Sequence, residues 1–281
     1  MGLQPATLES VPFVTAELNY IAPMATKPRT YAYDPPPGEP KSNIVSEPHS
    51  LPIFDVRKAG HDFSLDREGF ALLPQPTAVR NFDDEDEIRR VYYPEVERFL
   101  RATLKADRVV IFDHTVRKRV AGAADVRGAG PRQPATRVHV DQTAASGPNR
   151  VREHLPDQAD ALLRGRVQII NLWRPLRGPL RDTPLAMCDA TTVAPQDLVA
   201  SDLIYPNRNG ENYSVTFNPD HRWFYVPEMR VDEALLLKCY DSATDGRTRF
   251  GPHTAFVDPT TPADAPPRES IEVRTLVFHT H

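Results

Sequence analysis

Apolar and polar positions alternate in short runs over the C-terminal two-thirds of the chain. RVVIFDHTVR (108–117), RVHVDQT, VQIINLWRPL (167–176), PLAMCDATTV (184–193) and YSVTFN (213–218) are rich in β-branched and aromatic residues. RWFYVPE (222–228), ALLLKCYDS (234–242), PHTAFV (252–257) and SIEVRTLVFH (270–279) continue the pattern. Pro, Gly, Asn and Asp punctuate these runs, so the reading is about nine short strands in a barrel or sandwich. Upstream, Ile88, Val91, Tyr92, Val96, Phe99 and Leu100 recur at helical spacing. The acidic run DDEDE (83–87) suits the positive end of that helix, and Pro94 suits the first turn of a second helix. LDREGFALLPQP (65–76) reads as a short strand entering a turn, and 148–165 as a polar helical insert.

Residues 1–60 read as irregular. Lys27 to Pro52 is proline-rich, and proline fixes φ and donates no backbone hydrogen bond, which argues against a central strand or a helix. This segment is expected either to wrap the surface or to close over a pocket as a lid. Residues 81–281 would then carry helices and a β core, and 1–281 would form one domain with 1–80 as its wrapping arm.

Composition narrows the function. A net charge of -4 over 281 residues lacks the clustered basic face that nucleic acid requires. The basic residues are six lysines against 28 arginines. Base composition accounts for most of that bias, and some of the arginines are candidates for two-point contacts with carboxylates. Cys188 and Cys239 sit in apolar runs and are expected to be reduced, buried thiols. No signal-like start or membrane-length apolar stretch is present, so the expectation is a cytoplasmic protein without a membrane partner. A homodimer is the default expectation for its assembly.

The chemistry concentrates in RVHVDQT. His139 and Asp141 are two apart on an expected strand, so both side chains project from one face. An imidazole, a carboxylate and one distant histidine make the facial triad that holds Fe(II) and leaves positions open. H-x-D alone is weak, since chance supplies it often. Among the nine histidines, His253 in GPHTAFVDP and His221 in NPDHRWFY are the candidates for the third ligand. His154 falls in the polar insert, and His279 and His281 at the chain end are expected to fray. Downstream of His253, Arg268 and Ser270 are again i and i+2, a guanidinium and a hydroxyl suited to clamp a carboxylate. A hairpin of the last two strands would bring that pair to His253, which favours His253 over a structural His221. Arg274 shares the face of Arg268, with Glu272 between them; Glu272 and Arg274 read either as an ion pair or with Arg274 as the clamp, and Arg268 is the preferred clamp. Asn171 and Trp173 alternate on one strand face, with Arg174 on the other. They are candidates for lining a substrate pocket, as are Tyr205 and, more weakly, Tyr213, although a core tryptophan is an equal reading of Trp173.

Taken together, RVHVDQT, QIINLWRP, PLAMCD, SDLIYP, HRWFYVPEM, KCYDS, PHTAFVDP and PPRESIEVR resemble the gibberellin-desaturase-like and aspergillic-acid-hydroxylase-like oxygenases. The cephamycin 7α-hydroxylation protein belongs to the same group. The resemblance spans about Asn81 to Phe278 and, more loosely, the proline-rich start. It implies a mainly β fold with flanking helices, built on a double-stranded β-helix (jelly-roll, cupin-like) core. It also implies Fe(II), 2-oxoglutarate and O2. Iron binding then falls on His139, Asp141 and His253, and the keto acid on Arg268 and Ser270. The implied reaction hydroxylates or desaturates a small secondary-metabolite substrate, with release of succinate and CO2. Competing readings are another metal-dependent cupin-type dioxygenase and a non-catalytic small-molecule-binding barrel. Some relatives of this type carry a methyltransferase label, for which this chain has no Gly-rich nucleotide motif.

Overall fold

The alternating runs become strands that pair into two sheets facing each other, a jelly-roll of mainly β structure. The computed structural model describes residues 8–123 and 132–280. Fourteen strands occur among the described residues. The larger sheet comprises β1 (Phe13–Ile21), β2 (Arg29–Tyr31), β3 (Ser46–Asp55), β6 (His139–Val140), β8 (Leu185–Cys188), β9 (Leu198–Ile204), β10 (Asn209–Val215), β11 (Trp223–Tyr225) and β13 (His253–Ala255). Its order is β1-β3-β11-β8-β13-β6-β10-β9-β2. The smaller sheet comprises β4 (Phe70–Pro74), β5 (Arg108–Lys118), β7 (Arg166–Pro175), β12 (Glu233–Asp241) and β14 (Glu269–His279), in the order β4-β12-β7-β14-β5. Every pairing in the smaller sheet is antiparallel.

The helical run begins at α1 (Glu85–Glu87), passes through a π turn at Ile88–Tyr92 and continues as α2 (Tyr93–Leu104). Asp84 caps it by accepting from the amides of Asp86 and Glu87, so the acidic cluster serves the helix start. Ile88, Tyr92, Val96 and Leu100 pack on Ile170, Leu172, Leu236, Ile271 and Val273 of the smaller sheet. Truncating fully buried Leu100 to Ala would cost about 2–5 kcal/mol. The sheet's other face carries Trp173, Leu235 and Leu237 against Met187, Leu185 and Phe224 of the larger sheet. β7 and β12 are therefore buried on both faces, which explains their nearly unbroken apolar runs. The polar insert forms two short helices, α3 (Ser146–His154) and α4 (Ala159–Leu162).

Three expectations need correction. Residues 1–60 are not irregular, because β1, β2 and β3 lie there, and β3 carries two prolines. β1 and β3 pair antiparallel with Pro48 opposite Asn19 and Pro52 opposite Thr15. The amides that bond β1 to this segment flank them: Ala22 N donates to Val45 O (3.0 Å) and Asp55 N to Pro12 O (2.8 Å). The odd-numbered residues thus take the hydrogen-bonded positions, and the prolines fall where an N–H would point away from β1. β11 pairs with β3 only at Ile53–Asp55, so the prolines face an open edge. Second, β13 and β14 do not form a hairpin. β13 pairs with β8 and β6, whereas β14 pairs with β7 and β5. Third, His279 is not frayed: it ends β14 in register with Arg166 and hydrogen-bonds Gln168 Oε1 at 2.8 Å. His281 lies outside the described residues.

Candidate metal centre

His139 and His253 are direct cross-strand partners where β6 and β13 meet. Their rings lie 4.6 Å apart, centroid to centroid. Each ring is fixed by the same local device, with Nδ1–H donated to the carbonyl two residues upstream. His139 uses Arg137 O (2.7 Å) and His253 uses Gly251 O (3.0 Å). A carbonyl can only accept, so Nδ1 carries the proton and Nε2 keeps its lone pair, the tautomer a metal ligand needs. Gly251 sits where nothing larger fits, since a Cβ there would come 2.7 Å from Gly69 O.

Asp141 follows β6 directly, and its Oδ1 lies 3.5 Å from His139 Nε2. One donor atom from each of His139, Asp141 and His253 falls within a 4.8 Å cluster. The other Asp141 oxygen, Oδ2, accepts from Asn171 Nδ2 (2.8 Å) and Arg274 Nε (3.2 Å). Burial alone would raise the Asp141 pKa. The neighbouring His139 ring and the charge of Arg274 prevail and hold it well below the usual carboxylate range. Burial, followed by repulsion from His139, pushes the His253 pKa down and keeps that ring neutral. Two imidazoles held through Nδ1 and one carboxylate held through Oδ2 fit a divalent 2-His-1-carboxylate metal site.

The three residues line a cavity between the sheets, with Trp173, Leu185 and Leu237 as apolar wall. Arg268, the residue before β14, lines it too, so the two sheets facing each other bring it to His253. Its guanidinium is buried, lies 5.0 Å from the Trp173 ring, and donates Nη1 to Thr183 O (2.9 Å) and Nε to Ser270 Oγ (3.1 Å). Among the described residues no carboxylate comes within ion-pairing distance of it. Burial, then the neighbouring Arg117, pushes its pKa down to about 9. A buried cation without a counter-charge is costly, and an anionic ligand relieves that cost.

Arg274 differs. It is committed to Asp141 (3.2 Å), Glu272 (3.3 Å) and Asp113 (3.2 Å), with Thr115 Oγ1 at 2.9 Å. Asn171 faces inward but is fully buried and reaches Asp141 and Glu272. Tyr205 stands at the β9–β10 turn under Arg208 (4.2 Å) and is not on the cavity wall. Tyr213 is half-buried on β10 opposite Val140. Arg174 points to the α2 side, 5.7 Å from the Tyr92 ring. His221 is tied to Tyr20 and Asp197, both at 3.1 Å, and His154 is exposed. Glu272 makes the same-face ion pair with Arg274 that alternation allowed, whereas the wall residue Arg117 escaped the sequence reading. Arg117 stands across the β14–β5 ladder from Ser270, a relation visible only once register is known.

No described helix is long and apolar enough to cross a membrane. A family model described as an oxidoreductase/YMDC permease-like domain matches residues 18–278. The hydroxylase/desaturase efuI of Hormonema carpetanum is 33% identical over 291 residues, covering 95% of each chain. The Fe(II)/2-oxoglutarate-dependent dioxygenase nvfI of Aspergillus novofumigatus is 34% identical, covering 94% of this chain and 96% of that one. A solved structure of the iron and alpha-ketoglutarate-dependent endoperoxidase NvfI superposes with a TM-score of 0.86 at 29% identity, over 96% of this chain and 99% of that one. The chain therefore belongs to this oxidoreductase family, that of the Fe(II)/2-oxoglutarate-dependent hydroxylases, desaturases and dioxygenases.

Proposed function

We propose that His139, Asp141 and His253 hold Fe(II), that Arg268 with Ser270 holds the far carboxylate of 2-oxoglutarate, and that the enzyme oxidises a C–H bond of a small secondary metabolite. One observation carries this reading: a three-donor cluster and a buried guanidinium that forms no ion pair among the described residues line the same cavity. When bound, iron would supply the redox chemistry by which substrate, O2 and 2-oxoglutarate become oxidised product, succinate and CO2.

The protein's own contribution is positional. The two carbonyl-bound imidazoles keep Nε2 free, and the Asn171 and Arg274 donors leave Asp141 one oxygen to offer. Arg268 gives a charged, directional contact to a carboxylate, and Ser270 Oγ fixes its Nε end. Trp173 lies against the guanidinium, and Leu185 and Leu237 keep the cosubstrate's path apolar, which strengthens the contact by excluding water. Cys188 and Cys239 are both free and buried, in keeping with a reducing compartment.

The test is conversion of 2-oxoglutarate to succinate by purified protein with Fe(II) under air, alone and with candidate metabolites. Fe(II)-dependent succinate supports the reading. Absence of keto-acid turnover under all conditions, with a competent relative turning over in parallel, would reject it.

A further inference from the structure

Asp141 is not the sole carboxylate lining the cavity that holds the proposed metal position. Glu272 lies on the same cavity wall, on β14, and is 8% exposed. A single amide nitrogen, Asn171 Nδ2, donates to Asp141 Oδ2 (2.8 Å) and to Glu272 Oε1. The two carboxylates therefore sit within two hydrogen-bond lengths of each other. Arg274 bridges the same pair a second time, Nε to Asp141 Oδ2 (3.2 Å) and Nη2 to Glu272 Oε2 (3.3 Å). Its remaining nitrogen, Nη1, is held from the β5 side by Asp113 and Thr115.

A divalent ion attracts any carboxylate within reach, and carboxylates are good iron ligands. Among the described residues, Glu272 is the one such group on the wall outside the triad. A keto acid that chelates through two atoms needs two adjacent open positions, and a glutamate in one of them would block it. Two like charges this close also need a cation between them. Resting on the metal reading above, we propose that Arg274 and Asn171 form a latch that holds Glu272 off the metal. The latch keeps Asp141 to one presented oxygen and preserves the open positions for the cosubstrate. Arg274 and Asn171 are thus positioning residues, and Arg274 acts without touching 2-oxoglutarate.

The latch makes an unusual prediction, testable in the whole chain with Mn(II) as a redox-silent probe. Free Mn(II) is counted by electron paramagnetic resonance, and 2-oxoglutarate binding to the Mn-loaded protein is measured by calorimetry. Arg274→Met should bind Mn(II) at least as tightly as wild type, because Glu272 becomes an extra ligand. Its affinity for 2-oxoglutarate should fall by about tenfold or more, and Arg274→Met/Glu272→Gln should recover most of that loss. Asn171→Ala, a smaller change, should shift both affinities in the same directions and serves if Arg274→Met does not fold. Loss of Mn(II) binding in Arg274→Met would overturn the latch. So would a double variant as weak for 2-oxoglutarate as the single one, the result expected if Arg274 contacted the keto acid itself. Unchanged 2-oxoglutarate affinity in Asn171→Ala would overturn it as well. Failure of wild type to bind Mn(II) would instead remove the metal reading and the latch with it.

Discussion

His253 stands directly across the ladder from His139, and both rings donate Nδ1–H to the carbonyl two residues before them. Their pairing across β6 and β13 makes the position of one Nε2 depend on the backbone that carries the other. Small backbone changes near either histidine should therefore register at the metal.

Gly251→Ala tests that dependence. The added methyl would come 2.7 Å from Gly69 O and 3.2 Å from Lys238 O, so the backbone holding the His253 acceptor must move. We expect a loss of about 1–3 kcal/mol in urea unfolding, the usual range for overpacking. Weaker Mn(II) binding should accompany it. Wild-type stability together with wild-type metal affinity would contradict the account.

Arg268→Met separates ligand binding from stability. The guanidinium donates charged hydrogen bonds to a bound carboxylate, so 2-oxoglutarate affinity should fall by about 1.5–3 kcal/mol in calorimetry. The ligand-free protein should lose little stability, because a buried cation that forms no ion pair among the described residues is replaced by an apolar chain of similar length. A large loss of stability in the ligand-free variant would mean that Arg268 has a structural role instead.

The contrast between Arg268 and Arg274 also marks how far the sequence could be read. Alternation in QIINLWRP placed Asn171 and Trp173 on one face and Arg174 on the other, and that division is observed. Arg268 and Arg274 share a strand face, so alternation cannot separate them. What separates them is the company of Asp113, Asp141 and Glu272, and the first two are distant in sequence. The same holds at the N-terminus. Pro48 and Pro52 argue against a strand until the β1 register shows that their missing N–H groups would have pointed to an edge. The hairpin argument brought Arg268 to His253 by a route the chain does not take, since the two lie on opposite sheets.

His221 should make stability pH-dependent. Burial lowers its pKa below the usual 6.5, with Asp197 partly opposing. The neutral ring accepts from Tyr20 and donates to Asp197, while Trp223 Nε1 donates to Tyr20 Oη. With a lowered folded-state pKa, the unfolded chain binds more protons below pH about 6.5, so this group's contribution is present above that pH and is lost as pH falls. Thermal melts should show His221→Gln less stable than wild type at pH 7.5, with the gap narrowing toward pH 5. A gap that widens on acidification would show that the ring is charged in the folded state.

The central claim is that one Fe(II) is held by His139, Asp141 and His253. Anaerobic reconstitution followed by desalting and iron quantification tests it most directly. The account predicts one iron per wild-type chain and no retained iron in folded His139→Ala or Asp141→Ala. Stoichiometric iron in either variant would contradict it.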